Sequence, residues 1–151
     1  MAEGRFFEDI EIGVVERFGH YEVNREEAID FASKYDPQPF HLDDAAAAAS
    51  HFGRLAASGW HTGAMSMAMM ARHFADVGYA SMGGAGLNDL RWVKPVHPGD
   101  MLTMEMVAGS KRRSKTRPEM GIIEQHFTVR NQHGEAVMTY TAMGLVKVRQ
   151  P

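Results

Sequence analysis

Asp36 and His41 stand five residues apart in Tyr35-Asp36-Pro37-Gln38-Pro39-Phe40-His41. The two prolines of this stretch remove backbone donors and push the residues before them toward extended conformations, which makes it a stiff loop. A carboxylate and an imidazole fixed on one such loop can hold a water between them at about 2.6–3.2 Å, the arrangement that adding or removing water requires. The same residues fit a plain turn, with Asp36 accepting backbone N–H bonds and His41 packed beside Phe40. Eighteen residues after His41 comes Gly59, preceded by Ser58, at the head of a long apolar stretch. If that stretch is helical, its first amides are free and lie at the positive end of the macrodipole. A thioester carbonyl placed there would find an oxyanion site made of backbone alone. Gly59 equally fits a role that only lets the chain turn tightly into the helix.

The elements that must hold these groups follow from hydrophobic periodicity and turn chemistry. Val14–Val23 reads as a strand, and Asn24 with Glu27 three residues on forms a capping-box pattern that opens a helix over Arg25–Lys34. Asp43 and Asp44 cap a short alanine helix from Ala45 to about Ser50. From Gly59 to Ala75 apolar side chains occur nearly all round the helical wheel, so this helix is expected to be wrapped on most sides. Strands suited to wrapping it follow at Leu87–Val96, Met101–Gly109, Ile122–Asn131 and Ala136–Val148. Pro98-Gly99-Asp100, the basic stretch Lys111–Arg117 and Asn131-Gln132-His133-Gly134 supply the turns between them. The expected fold is α+β: an antiparallel sheet of about five strands curved around one long helix.

Composition narrows the function. The 151 residues make one domain over residues 1–151 the expectation. Forty-four per cent hydrophobic and 23% charged residues argue against a disordered chain, and a net charge of −3 argues against nucleic-acid binding. Cysteine is absent, which excludes thiol catalysis and Cys-ligated metals and fits a reducing compartment. The first twelve residues hold four acidic side chains and no apolar core of a signal peptide, and no apolar run is long enough to span a bilayer. A cytoplasmic location without membrane contact is therefore expected. The eight histidines show no metal-site spacing, and the twelve methionines are read first as packing around the long helix.

Asp36-Pro37-Gln38-Pro39-Phe40-His41-Leu42-Asp43, then Ala45–Ala49, Phe52-Gly53 and Ala57-Ser58-Gly59, resembles the hydratase-2 motif of the MaoC-like dehydratases and (R)-specific enoyl-CoA hydratases. The resemblance implies a hotdog fold, a homodimer or higher homo-oligomer, and interconversion of a trans-2-enoyl-CoA plus water with an (R)-3-hydroxyacyl-CoA. It implies no cofactor, coenzyme A being part of the substrate. By position, Asp36 and His41 match the catalytic pair and Gly59 the glycine whose amide binds the thioester oxygen. Gln38 stands where the motif has Asn, and Ser58 where a His often precedes the glycine. Gln38, Phe40, Ser58 and Trp60 are assigned to the substrate pocket. His61 either lines an acyl pocket or serves packing. Arg112, Arg113 and Lys115, expected at a hairpin tip, either meet the phosphates of coenzyme A or form a solvated surface. A hotdog thioesterase and a non-catalytic acyl-CoA-binding module are the rival readings. Release of free thiol marks the first, and CoA affinity without turnover the second.

Overall fold

The computed structural model of the chain describes residues 4–149. A 3-10 turn at Phe7–Asp9 precedes β1 (Val15–Glu22), α1 (Arg25–Tyr35), a second 3-10 turn at Pro39–His41, α2 (Asp44–Ala48) and α3 (Gly59–Val77). Four strands complete the chain: β2 (Ser81–Trp92), β3 (Met101–Arg113), β4 (Met120–Arg130) and β5 (Ala136–Lys147). The five named strands pair antiparallel, in the order β1-β3-β4-β5-β2. This is the α+β hotdog arrangement, a curved sheet laid around one long helix.

Local chemistry sets the helix ends. The Asn24 side chain accepts from the Glu27 amide at 2.9 Å and starts α1. The helix stops at Asp36, whose N–H reaches Ala32 O at 2.9 Å, because Pro37 and Pro39 cannot continue the ladder. Asp43 caps α2 through the Ala46 amide at 2.9 Å. Ser58 caps α3. At its other end Gly78 adopts φ 68°, a left-handed conformation open to glycine, and returns its N–H to Phe74 and Ala75 carbonyls.

The inner face of α3 carries Met65, Met69 and Met70, packed with Leu102, Met104, Phe127 and Val129 from the sheet. Burying a side chain of this size stabilises by roughly 1.5–3 kcal/mol. The helix is not wrapped all round, however. Met67 is 55% and Trp60 59% exposed, because one sheet covers only one side of a helix.

Three strand boundaries differ from expectation. β2 begins at Ser81, six residues before Leu87, through Gly83, Gly84 and Gly86, which lower strand propensity, although Gly84 and Gly86 still pair with β5 across register shifts. It ends at Trp92, so Val93–Val96 leave the ladder and Val96 O accepts from Ala57 N at 2.8 Å. β3 runs to Arg113, past Gly109, so Lys111, Arg112 and Arg113 lie on a strand rather than at a hairpin tip. Met69, 2% exposed at the helix–sheet seam, offers a check on this core. Met69→Ala is expected to lower unfolding free energy by about 2–5 kcal/mol in urea titration.

Candidate active site

The end of α1, the 3-10 turn and the start of α3 meet at one place. Asp36 Oδ2 accepts from Ser58 Oγ at 2.7 Å, and Oδ1 accepts from Gln38 Nε2 at 2.6 Å. His41 Nε2 lies 3.3 Å from Asp36 Oδ2. The other ring nitrogen, Nδ1, is 2.6 Å from Ala56 O. A carbonyl only accepts, so Nδ1 carries a hydrogen and Nε2 is the ring nitrogen that faces the carboxylate.

Electrostatics favours a charged Asp36. Its partial burial pushes the pKa up, but the hydrogen bonds from Gln38 and Ser58 and the neighbouring His41 outweigh this and leave it below the ordinary aspartate value. Asp36 is therefore a carboxylate, able to accept a proton, throughout the neutral range.

Gly59 is the first residue of α3, and its N–H has no hydrogen-bond partner among the described residues. The Trp92 indole lies against its α-carbon, where a methyl group would come within 2.5 Å of the ring. Trp92 also meets Trp60 edge to face at 5.1 Å. A cleft of about 580 Å³ opens here, with Asp36, His41, Gly59, Gln38, Phe40 and Trp60 all on its wall. The structure thus brings together six of the residues singled out in the sequence.

The others lie elsewhere. Ser58 is fully buried behind Asp36 and holds the carboxylate rather than forming the pocket wall. His61 faces away from the cleft, buried against α1, because it sits two residues past Gly59 and a helix turns about 100° per residue. Arg112 and Arg113 pair with Ile122 and Gly121 near the end of the sheet opposite Trp92, Lys115 follows them in the hairpin, and none lines the cleft of the chain. Arg113 instead reaches Glu8.

Sequence reasoning missed Thr62, His51, Phe52, Val93, Lys94 and Val96, which also line the cleft. Thr62 had a signal: it stands three residues after Gly59, on the same helix face. Phe52 also had one, as part of the motif, whereas Val93, Lys94 and Val96 had none, since Val93–Val96 read as strand.

Among the described residues no group of three or more His, Asp or Glu side chains could hold a metal ion. No helix there is long and apolar enough to cross a membrane.

A family model described as MaoC like domain matches residues 11–130. The chain belongs to the MaoC-like dehydratase family. Among solved structures, the MaoC-like dehydratase from Rhodospirillum rubrum is 38% identical with a TM-score of 0.86, covering 98% of this chain and 100% of that one. The (R)-hydratase PhaJ1 from Pseudomonas aeruginosa is 23% identical with a TM-score of 0.72, over 97% of this chain and 87% of that one. At that identity it shares the fold. The curated protein YdeM of Bacillus subtilis (strain 168), described as uncharacterized, is 29% identical over 125 residues, 83% of this chain and 86% of its own length.

In this MaoC-like domain the Ser58 hydroxyl donates to one Asp36 oxygen and so favours its charged form. Ser58→Ala is expected to raise the Asp36 pKa. Where Asp36 is the base, activity is present above its pKa and lost as pH falls through it. The acid limb of the kcat/KM profile should then move to higher pH, and an unmoved limb would refute the assignment.

Proposed function

We propose that this chain hydrates a trans-2-enoyl thioester of coenzyme A to a 3-hydroxyacyl thioester, and catalyses the reverse dehydration. The observation that carries the reading is an ionised Asp36 held 3.3 Å from His41 Nε2, in a cleft that also contains the unpartnered Gly59 amide. Water placed between carboxylate and imidazole loses a proton to Asp36 while His41 orients it. The water oxygen bonds to C3, and the electron pair of the double bond shifts through C2 to the thioester oxygen. The Gly59 N–H, at the positive end of α3, donates to that oxygen as it becomes an enolate. Asp36 then returns the proton to C2, so one water is added across the double bond. The (R) product is the expectation taken from the family.

The active unit we propose is a pair or larger set of identical chains. β2 is an edge strand, and Leu87, Trp92 and Val93 on or beside it are each at least 45% exposed. An unpaired apolar edge of this kind invites pairing with another strand. The supporting likeness is that solved relatives include complexes, such as the HadBC dehydratase of Mycobacterium tuberculosis.

The activity is tested by following loss of enoyl-thioester absorbance with crotonyl-CoA and longer, branched and dicarboxylic acyl-CoAs, with a thiol reagent present to catch hydrolysis. Asp36→Asn should reduce turnover about 10²–10⁴-fold. Full turnover by that variant would remove Asp36 from the reaction. Light scattering tests the assembly: a mass at least twice the 16.8 kDa chain is expected. Leu87→Asp should lower it, and a wild-type monomer would contradict the proposal.

A further inference from the structure

α1 carries Asp36 at its end and α3 begins with Gly59, so the angle between these helices fixes how far the carboxylate lies from the amide. α1 turns small residues, Ala28 and Ala32, into the core. A smooth alanine face gives little interlocking. A cavity of about 240 Å³, lined by Tyr21, Glu27, Phe31, Tyr35, His61 and Met65, also opens along this seam, so packing alone does not lock it. Two side-chain polar ties join α1 and its cap to the head of α3. One is Ser58 to Asp36. The other lies nine residues back along α1, roughly 13 Å at 1.5 Å per residue, where His61 Nε2 meets Glu27 Oε1 at 3.3 Å.

The second tie is built with care for orientation. His61 is 3% exposed and stacks on Phe31 of α1, with ring centroids 4.7 Å apart. Its Nδ1 has no hydrogen-bond partner among the described residues, so the ring's polar contact is through Nε2. Tyr21 of β1 donates its hydroxyl to the same Glu27 oxygen. Burial pushes the His61 pKa down, against the pull of Glu27, which suits a neutral ring donating from Nε2.

We propose that His61 and Glu27, braced by Tyr21, are positioning residues: they set the angle at which α1 crosses α3 and so the separation of Asp36 from Gly59. One tie would leave α1 free to pivot about Asp36, whereas two hold it as a rod. The effect on turnover rests on the hydration reading, but the effect on the loop does not.

The test uses the full chain and two readouts: kcat and KM with crotonyl-CoA, and amide hydrogen exchange of the segment 36–43. His61→Phe keeps the stack on Phe31 and removes the donor. Glu27→Ala removes the acceptor, and Glu27→Gln keeps one. The first two variants should lower kcat by about tenfold with KM little changed, as a misplaced group does. Their double variant should be no worse than either, because a single interaction is lost. Glu27→Gln should recover most of the rate. Exchange in the segment should quicken in both disruptive variants. Ser33→Gly, exposed on α1 and touching neither tie, weakens the helix and serves as the control. It should lower Tm while leaving kcat and exchange of the segment as they were. Wild-type exchange in His61→Phe and Glu27→Ala, or equal changes in Ser33→Gly, would overturn the proposal. If the wild-type chain hydrates no thioester, the hydration reading falls and exchange alone decides the role of the pair.

Discussion

The Ser58 hydroxyl joins the start of one helix to the end of another. It accepts from the Trp60 amide at 3.3 Å, which caps α3, and donates to Asp36 at 2.7 Å, which follows α1. The candidate base and the candidate oxyanion amide are therefore both neighbours of one residue. The hydrogen bond that places Asp36 also lowers its pKa, so position and charge have a common cause. The two prolines deliver Asp36 to that hydroxyl by ending α1, and the 3-10 turn they start brings His41 back beneath it. Ala56 O then fixes the imidazole, and the next amide, Ala57 N, is bonded to Val96 O beyond β2. The site is thus suspended between the helices and the margin of the sheet.

α3 has two unlike faces. One is closed by methionines against β3, β4 and β5, and it supplies the stability on which the loop geometry rests. The other is open beside the cleft, where Trp60, Trp92 and Val93 are exposed together. An apolar surface next to a site and next to an unpaired strand edge is where a second chain adds cover to both. On this reading the same exposed residues that a single chain leaves unsatisfied become the wall of a closed pocket in the assembly.

Much of this was legible before the structure. The Asn24 and Asp43 caps, the proline stop and the apolar stretch from Gly59 located all three α-helices, because these signals are local. Asp36, His41 and Gly59 were found through a motif whose spacing reflects the same loop. β2 begins earlier than Leu87 because pairing with β5 outweighs the low strand propensity of the glycines that precede it. Ser58 was assigned to the pocket wall but lies buried behind Asp36, and of the two readings of His61 packing is the one the structure shows, for a related reason. Residue type suggested a pocket, but helix rotation and burial decide which way a side chain turns. Lys94 and Val96 could not be foreseen, since the end of β2 is set by contacts with Val137 and Ala57 that lie far away in sequence.

In the proposed reaction water, activated at Asp36 and His41, is added to carbon and not to the thioester carbonyl. Mass spectrometry of the product formed from crotonyl-CoA in water labelled with heavy oxygen tests it directly. The expected result is label on the C3 hydroxyl of an intact 3-hydroxyacyl-CoA. Label in a free carboxylic acid, with coenzyme A released, would contradict it.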